Sequence, residues 1–580
     1  MCLGGLAPVS VAWAMGEVVD TLAHGRSAPG RLPGLVALVL GATLVAAVVP
    51  LVGRYAEAQS RRRIAMTMYD ELFRAVNRVG GLSRFESPAH LDKVRLAQQA
   101  VQIVPLKSVP AVFSCVQSLV TAGGFLGTLL AVNPVLALAV LVSAVPTVVS
   151  KRALGRRRTD VQWHNSPRLR RQMFYTRLLT ELQAIKEVRL YGLGDHLRER
   201  YLDETREINR GERSVDRAEL RTESVLSLTG TAVMGAGMSW AVYAAAHGWL
   251  SVGTVTMFLL AIGSVQSSLG SFAGRIGDLT EAFTLFGSFR ELCTAPSDLP
   301  VPRQPAAIGP LRTGIEFRDV WFRYGDDRPW ILQGLDLTIP HGRTVALVGL
   351  NGAGKSTLIK LLCRLYDPTR GRILWDGVDI RDVDPAELRR RIGTVFQDYM
   401  TYDLTAAENV GLGDLPALQD RERIVRAAGL AGIDEVLGGL PRGYDTMLSR
   451  IFTDTRDGKN PQAGAVLSGG QWQRVALARG LMRDQADLLV LDEPSSGLDA
   501  EAEHDIHTRL VRHRGDRATL LVSHRLGAVR EAHTIVVLAD GRIVEEGTHE
   551  SLMTAQGRYA ALFELQAAGY RETSGLSGAR

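Results

Sequence analysis

A chain of 580 residues with 46% hydrophobic and 22% charged residues is long enough for several cores, and its averages exclude a disordered chain, a collagen and a coiled coil. Four scattered cysteines, Cys2, Cys115, Cys293 and Cys363, form no CxxC pair, which excludes a disulfide scaffold and a readable zinc site. The net charge of +6 divides into +11 over residues 1–312 and −5 over 313–580, so the basic excess accompanies the apolar half and calls for no nucleic-acid partner.

In chain order, residues 1–22 read as a first apolar span ending in Glu17 and Asp20. A secretory signal would need a basic flank before it, so a genuine span is expected, and whether the chain starts upstream of Met1 stays open. Residues 32–53, 108–150 and 224–274 then carry no Asp, Glu, Lys or Arg. A membrane crossing needs about 20 apolar residues, so the two longer runs hold two spans each. Asn133-Pro134 and His247-Gly248 mark the turns, giving six spans: 1–22, 32–53, 108–132, 135–150, 224–246 and 252–274.

The connectors 54–107 and 151–223 hold 10 and 18 Lys+Arg, whereas the other three hold only Arg26 and Arg31. Positive residues stay cytoplasmic, which places both long connectors and the chain after the sixth span on that side. Anionic lipid head groups account for their basic runs. Phe174, Leu178, Leu179, Leu182, Ile185, Val188, Leu190 and Leu197 recur at near-helical spacing, so the spans are expected to continue as helices into the cytoplasm. A membrane domain over 1–293 should give way, across a Pro-rich linker at 294–312, to a second domain over 313–580.

That second domain opens its chemistry at Val345–Val348, a short apolar run of the buried parallel-strand type, followed by Gly349-Leu350-Asn351-Gly352-Ala353-Gly354-Lys355-Ser356 and a helical pattern. This is a phosphate loop in its strand–loop–helix context. Its glycines admit backbone N–H groups to phosphate oxygens, Lys355 suits the β- and γ-phosphates, and Ser356 suits Mg²⁺. A second apolar strand, Leu488–Leu491, ends in Asp492-Glu493. Asp492 suits the metal, and Glu493 is placed to polarise an attacking water.

With Leu467-Ser468-Gly469-Gly470-Gln471 shortly before that strand, the sequence resembles the ATP-binding cassette (ABC) proteins, whose signature motif this is. Further motifs follow in family order: Tyr324 as the adenine-stacking aromatic, Gln397 in Val-Phe-Gln-Asp as the Q-loop, Asp499 in Ser-Gly-Leu-Asp as the D-loop, and His524 as the switch histidine. Together with the six spans they resemble an exporter-type half-transporter. The fold implied is an all-α six-helix transmembrane domain with long cytoplasmic extensions, followed by an α/β P-loop ATPase domain.

The resemblance implies ATP and Mg²⁺ as cofactors. Catalytic roles fall on Glu493, His524 and Gln397, and metal contacts on Ser356, Gln397 and Asp492. Nucleotide contacts fall on Tyr324, Gly349, Asn351, Gly352, Gly354, Lys355, Ser356, Thr357, Ser468, Gly469, Gly470, Gln471 and Asp499. In this family ATP lies between the phosphate loop of one cassette and the signature of another. One chain holds one of each, so a second half-transporter is required, a homodimer being favoured and a heterodimer open.

The expected activity is ATP-driven export of a hydrophobic or amphipathic peptide, lipid or drug-like metabolite by alternating access. An importer on the same fold is the alternative, and a soluble ABC ATPase is disfavoured by the spans. Sixty Arg against seven Lys suggest a GC-rich bacterial source and hence the cytoplasmic membrane. One departure from the family stands out: Gly443-Tyr444-Asp445-Thr446 is followed by 20 residues, 447–466, in place of a short Gly-Glu-Arg-Gly-like turn before the signature.

Overall fold

The computed structural model describes residues 2–23, 31–132, 134–449, 464–494, 505–506, 508–510, 515–523 and 526–565. They form two units, one of residues 1–77 and 89–295, the other of residues 78–88 and 296–580.

The first unit is helical: α1 (Cys2–Ala23), α2 (Arg31–Arg78), α3 (Pro88–Val132), α4 (Pro134–Thr180), α5 (Leu182–Leu190), α6 (Gly194–Ala246) and α7 (Val252–Thr294). At 1.5 Å per residue a helix such as α2 runs about 70 Å, more than twice the ~30 Å hydrocarbon core, so the apolar spans do continue as charged helix. Among the described residues α1, α2, α3, α6 and α7 are long and apolar enough to cross a membrane, and the expected fourth span belongs to α4. The long helices α2, α3 and α4 run on through Pro50, Pro105, Pro110, Pro146 and Pro167.

Small residues set the close helix contacts, as expected where lipid offers no hydrophobic drive between helices. A Cβ on Gly253 of α7 would lie 2.0 Å from the Gly16 carbonyl oxygen of α1. Thr121 of α3 donates its hydroxyl to the Gly5 carbonyl at 3.0 Å. The Asp20 carboxylate accepts the Gly253 N–H at 2.7 Å and the Ser251 hydroxyl at 2.5 Å, and so caps α7. Further along the helices, Leu72, Ala97, Val101, Ala282 and Phe289 build a separate apolar core for the extensions of α2, α3 and α7.

The second unit holds two sheets. Strands β1 (Gly314–Phe322), β2 (Leu332–Pro340), β4 (Arg370–Trp375) and β5 (Val378–Asp379) form an antiparallel sheet in the order β2-β1-β4-β5. The other sheet runs β10-β9-β3-β8-β7-β6, from β3 (Thr344–Val348), β6 (Ile392–Val395), β7 (Leu488–Asp492), β8 (Ala518–Val522), β9 (Thr534–Ala539) and β10 (Arg542–Gly547). All but the β9–β10 pair are parallel. Every residue of β3, β7 and β8 is buried, which is why these strands read as unbroken apolar runs.

Helix α8 (Lys355–Leu362) follows β3, and α9 (Pro385–Arg390) precedes β6. Then α10 (Ala406–Gly411), α11 (Arg421–Leu430), α12 (Asp434–Gly438) and α13 (Gly469–Leu481) share a second core with Val475, Leu477 and Ala478. The turn 78–88 joins this unit through its own contacts. Leu82 donates its N–H to the Leu365 carbonyl at 3.0 Å and packs on the main core. Asp298 accepts the Gly81 N–H and the Ser83 hydroxyl, both at 2.9 Å, and Arg389 donates to the Gly80 carbonyl at 2.7 Å. The base of the 447–466 segment is tied by bridges of Met447 to Thr405 and Gly464; residues 450–463 lie outside the described residues.

Candidate nucleotide site

In a parallel sheet the ligand site lies beyond the carboxyl ends of the strands. The register here levels those ends: Leu347 of β3 pairs with Val522 of β8, Val522 with Asp492 of β7, and Leu491 with Val395 of β6. The phosphate loop leaves β3, Asp492-Glu493 ends β7, and Gln397 follows β6, so motifs far apart in sequence meet at one edge. His524, two residues beyond the end of β8 in sequence, and the Asp499 segment lie outside the described residues.

The loop 349–354 needs its glycines. Gly352 and Gly354 have φ of 84° and 107°, and a Cβ on Gly349 would sit 2.3 Å from the Leu538 carbonyl oxygen. Lys355 opens α8 with Ser356 exposed beside it and Thr357 buried, while Asn351 stands exposed on the loop. The Lys355 ammonium, 7% exposed, donates to the carbonyls of Gly349 at 2.6 Å and Leu350 at 3.0 Å. Burial lowers its pKa, against the opposing pull of Glu493 and Asp492. A buried cation thus lies within the field of two carboxylates at the end of the loop.

Asp492 is 6% exposed, and burial, helped by Glu493 and Asp398 and opposed by Lys355, pushes its pKa up to about 6. Glu493 adopts a left-handed backbone, φ 50°, unusual for a residue with a Cβ. Its N–H donates to the Val522 carbonyl at 2.8 Å, and the Gln397 amide donates to its Oε2 at 3.1 Å. The Ser356 hydroxyl, the Gln397 amide oxygen and the Asp492 carboxylate are hard oxygen donors, the set that suits Mg²⁺. No cluster of three His, Cys, Asp or Glu occurs among the described residues, and Mg²⁺ bound with nucleotide needs only one or two carboxylates beside phosphate oxygens.

Tyr324 closes the other side of the loop. Its hydroxyl shares a 3.0 Å hydrogen bond with Thr357, and its ring stands edge-on to Tyr366 and Phe322 at 5.3 and 5.0 Å, with the Lys360 ammonium 5.3 Å from its centroid. The signature begins α13 with a reciprocal cap: Ser468 accepts the Gln471 N–H at 3.3 Å, and the Gln471 side chain accepts the Ser468 N–H at 2.9 Å. Ser468 and Gly469 are exposed and Gly470 is half-buried, leaving the helix N-terminus open to an anion.

Two further side chains at this edge belong to none of the motifs assigned above. Gln473, 3% exposed on α13, donates to the Glu493 carbonyl at 2.9 Å, and the Tyr399 hydroxyl donates to the Gly469 carbonyl at 3.0 Å. A polar residue on the inward side of an otherwise apolar helix, as Gln473 is among Val475, Ala476 and Ala478, was the available clue.

The ABC transporter family model matches residues 332–496, and that of the ABC transporter transmembrane region matches 108–269. A subtilin transport ATP-binding protein of Bacillus subtilis is 26% identical over 97% of this chain and 89% of its own. An ATP-dependent lipid A-core flippase of Chromobacterium violaceum is 34% identical over 451 residues, 77% of this chain and 73% of its own. A putative multidrug export ATP-binding/permease protein of Bacillus subtilis strain 168 is 36% identical, over 56% of this chain and 53% of its own. The solved structure of a bacterial Atm1-family ABC exporter with ATP bound superposes with a TM-score of 0.80 at 24% identity, covering 97% of this chain and 96% of that one. With ATP-binding and membrane-spanning regions fused in one polypeptide, the chain belongs to the ABC transporter family, as a multi-pass membrane half-transporter whose cytoplasmic ATPase domain couples ATP hydrolysis to transport.

Proposed function

We propose that this half-transporter pairs with a second copy of itself and exports a hydrophobic or amphipathic molecule by alternating access. The observation that carries the reading is the levelled strand edge, where Lys355, Asp492, Glu493 and Gln397 converge, on a chain that also owns one open signature helix. One phosphate loop and one signature make complete ATP sites only in a dimer, and neither motif is degenerate, which favours two equal sites. Alternating access of the spans is the rigid-body change such closure would drive.

In this reading Glu493 holds the attacking water as general base and Gln397 orients both. Lys355 and the loop N–H groups bind the β- and γ-phosphates. Ser356, Gln397 and Asp492 would hold Mg²⁺, which, when bound, neutralises charge on the phosphates. Tyr324 stacks on the base, Ser468–Gln471 offer their helix N-terminus to the γ-phosphate held by the partner, and His524 and Asp499 keep the roles the family resemblance gives them. The long charge-free spans, together with relatives named for subtilin transport, lipid A-core flipping and multidrug export, support an apolar or amphipathic cargo class.

The test is Glu493→Gln in lipid nanodiscs. ATP hydrolysis should fall by roughly 100-fold or more while Mg-ATP binding persists. Hydrolysis near the wild-type rate rejects the base. Lys355→Ala should instead lose most nucleotide affinity, read by isothermal titration, and unchanged affinity rejects the phosphate-loop assignment.

A further inference from the structure

The hydrogen bonds around Glu493 close on themselves. Gln397 reaches its carboxylate at 3.1 Å, and Gln473 reaches its backbone carbonyl at 2.9 Å. Gln473 stands one helical turn from Gly469 on α13. The Gly469 carbonyl accepts the Tyr399 hydroxyl at 3.0 Å, and Tyr399 is two residues from Gln397. The other end of α13 is tied to the same stretch of chain. Arg479 donates to the carbonyls of Asn409 at 2.9 Å and Met400 at 3.0 Å, and its guanidinium lies 4.7 Å from the Tyr402 ring centroid.

We infer that Tyr399 and Gln473 are positioning residues for ATP hydrolysis, closing a ring of contacts that links Glu493, Gln397 and the signature helix. The physical need lies in Glu493. Its left-handed backbone is strained for a residue with a Cβ and persists only where neighbours hold it. Gln473 does so from a 3% exposed position where its amide, stripped of water, gains from a partner. Tyr399 fixes the first turn of α13, whose N-terminus serves the partner's nucleotide, against the loop that serves this chain's own. The ring therefore joins two ATP sites within one protomer. This rests on the proposed reading of Glu493 as base and of the site as shared across a dimer.

The test uses the full-length transporter in nanodiscs and a double-mutant cycle. Tyr399→Phe keeps the ring and removes only the hydroxyl; Gln473→Met keeps the volume and removes the donor. Each single variant should lower kcat roughly tenfold with KM for ATP within about twofold, as misplacement and not lost binding requires. The double variant should be no slower than the slower single, because either change opens the same ring. Unchanged kcat in Tyr399→Phe, a rise in KM at constant kcat, or effects that multiply in the double variant each overturn the inference. Should Gln473→Met fail to fold, the kcat and KM of Tyr399→Phe decide alone. Glu493→Gln measured in the same nanodiscs separates the failures: if it still hydrolyses ATP, the base assignment falls; if it is inactive while the ring variants behave as wild type, only the ring falls.

Discussion

At the scale of single residues, Asp492 gives the site a pH dependence with a definite sign. Its pKa of about 6 is raised above the ~4 of a free carboxyl by burial and by Glu493. The group therefore costs the nucleotide-free protein no stability below pH ~4, and the full cost of a desolvated carboxylate appears above pH ~6. A cation relieves that cost, whereas below pH ~6 a proton competes with it. Mg-ATP affinity should fall as pH drops from 7.5 to 5.5, by up to about tenfold per unit below the pKa, and Asp492→Asn should flatten that profile in titration calorimetry. Lys355 and Asp492 were legible because phosphate and metal chemistry constrain the residues at the ends of buried parallel strands, and Gln397 through the family resemblance. Gln473 and Tyr399 fall outside those motifs, and their value lies in reaching carbonyls that only the folded chain brings near.

At the scale of elements, charge-free runs and basic connectors made the helices legible, and solid apolar runs did the same for β3, β7 and β8. Which helices touch was not legible, because lipid-facing and helix-facing positions are equally apolar. The Gly16–Gly253 approach between α1 and α7 is such a contact. Gly253→Ala should force those helices apart or shift their caps, at about 1–3 kcal/mol, read as a lower melting temperature in detergent. Gly263→Ala, on the same helix with open space where its Cβ would go, should leave melting unchanged. The 447–466 segment was legible as a departure from the family, while the tying of its base at Met447 and Gly464 was not.

At the scale of the whole molecule, the sequence told of a membrane half and an ATPase half through the split of charge, because each environment imposes its own composition. It did not tell that the turn 78–88 is built into the second unit. Asp298 holds that turn through Gly81 and Ser83. Asp298→Ala should speed tryptic cleavage at Arg84 about tenfold, the weight of lost hydrogen bonds to a charged acceptor, as followed by mass spectrometry. Unchanged cleavage would show that Leu82 and Arg389 hold the turn without it.

The same feature has a genetic consequence. The second unit is not a contiguous stretch of its gene, since Gly81 and the Asp298 that receives it are encoded 217 codons apart. Exchanging only the 3′ part of the gene between related transporters would hand the new ATPase a turn it was never selected with. Grafts that carry residues 78–88 along with their acceptor should assemble where simple tail swaps do not, so exchange of this ATPase unit is constrained at two loci at once.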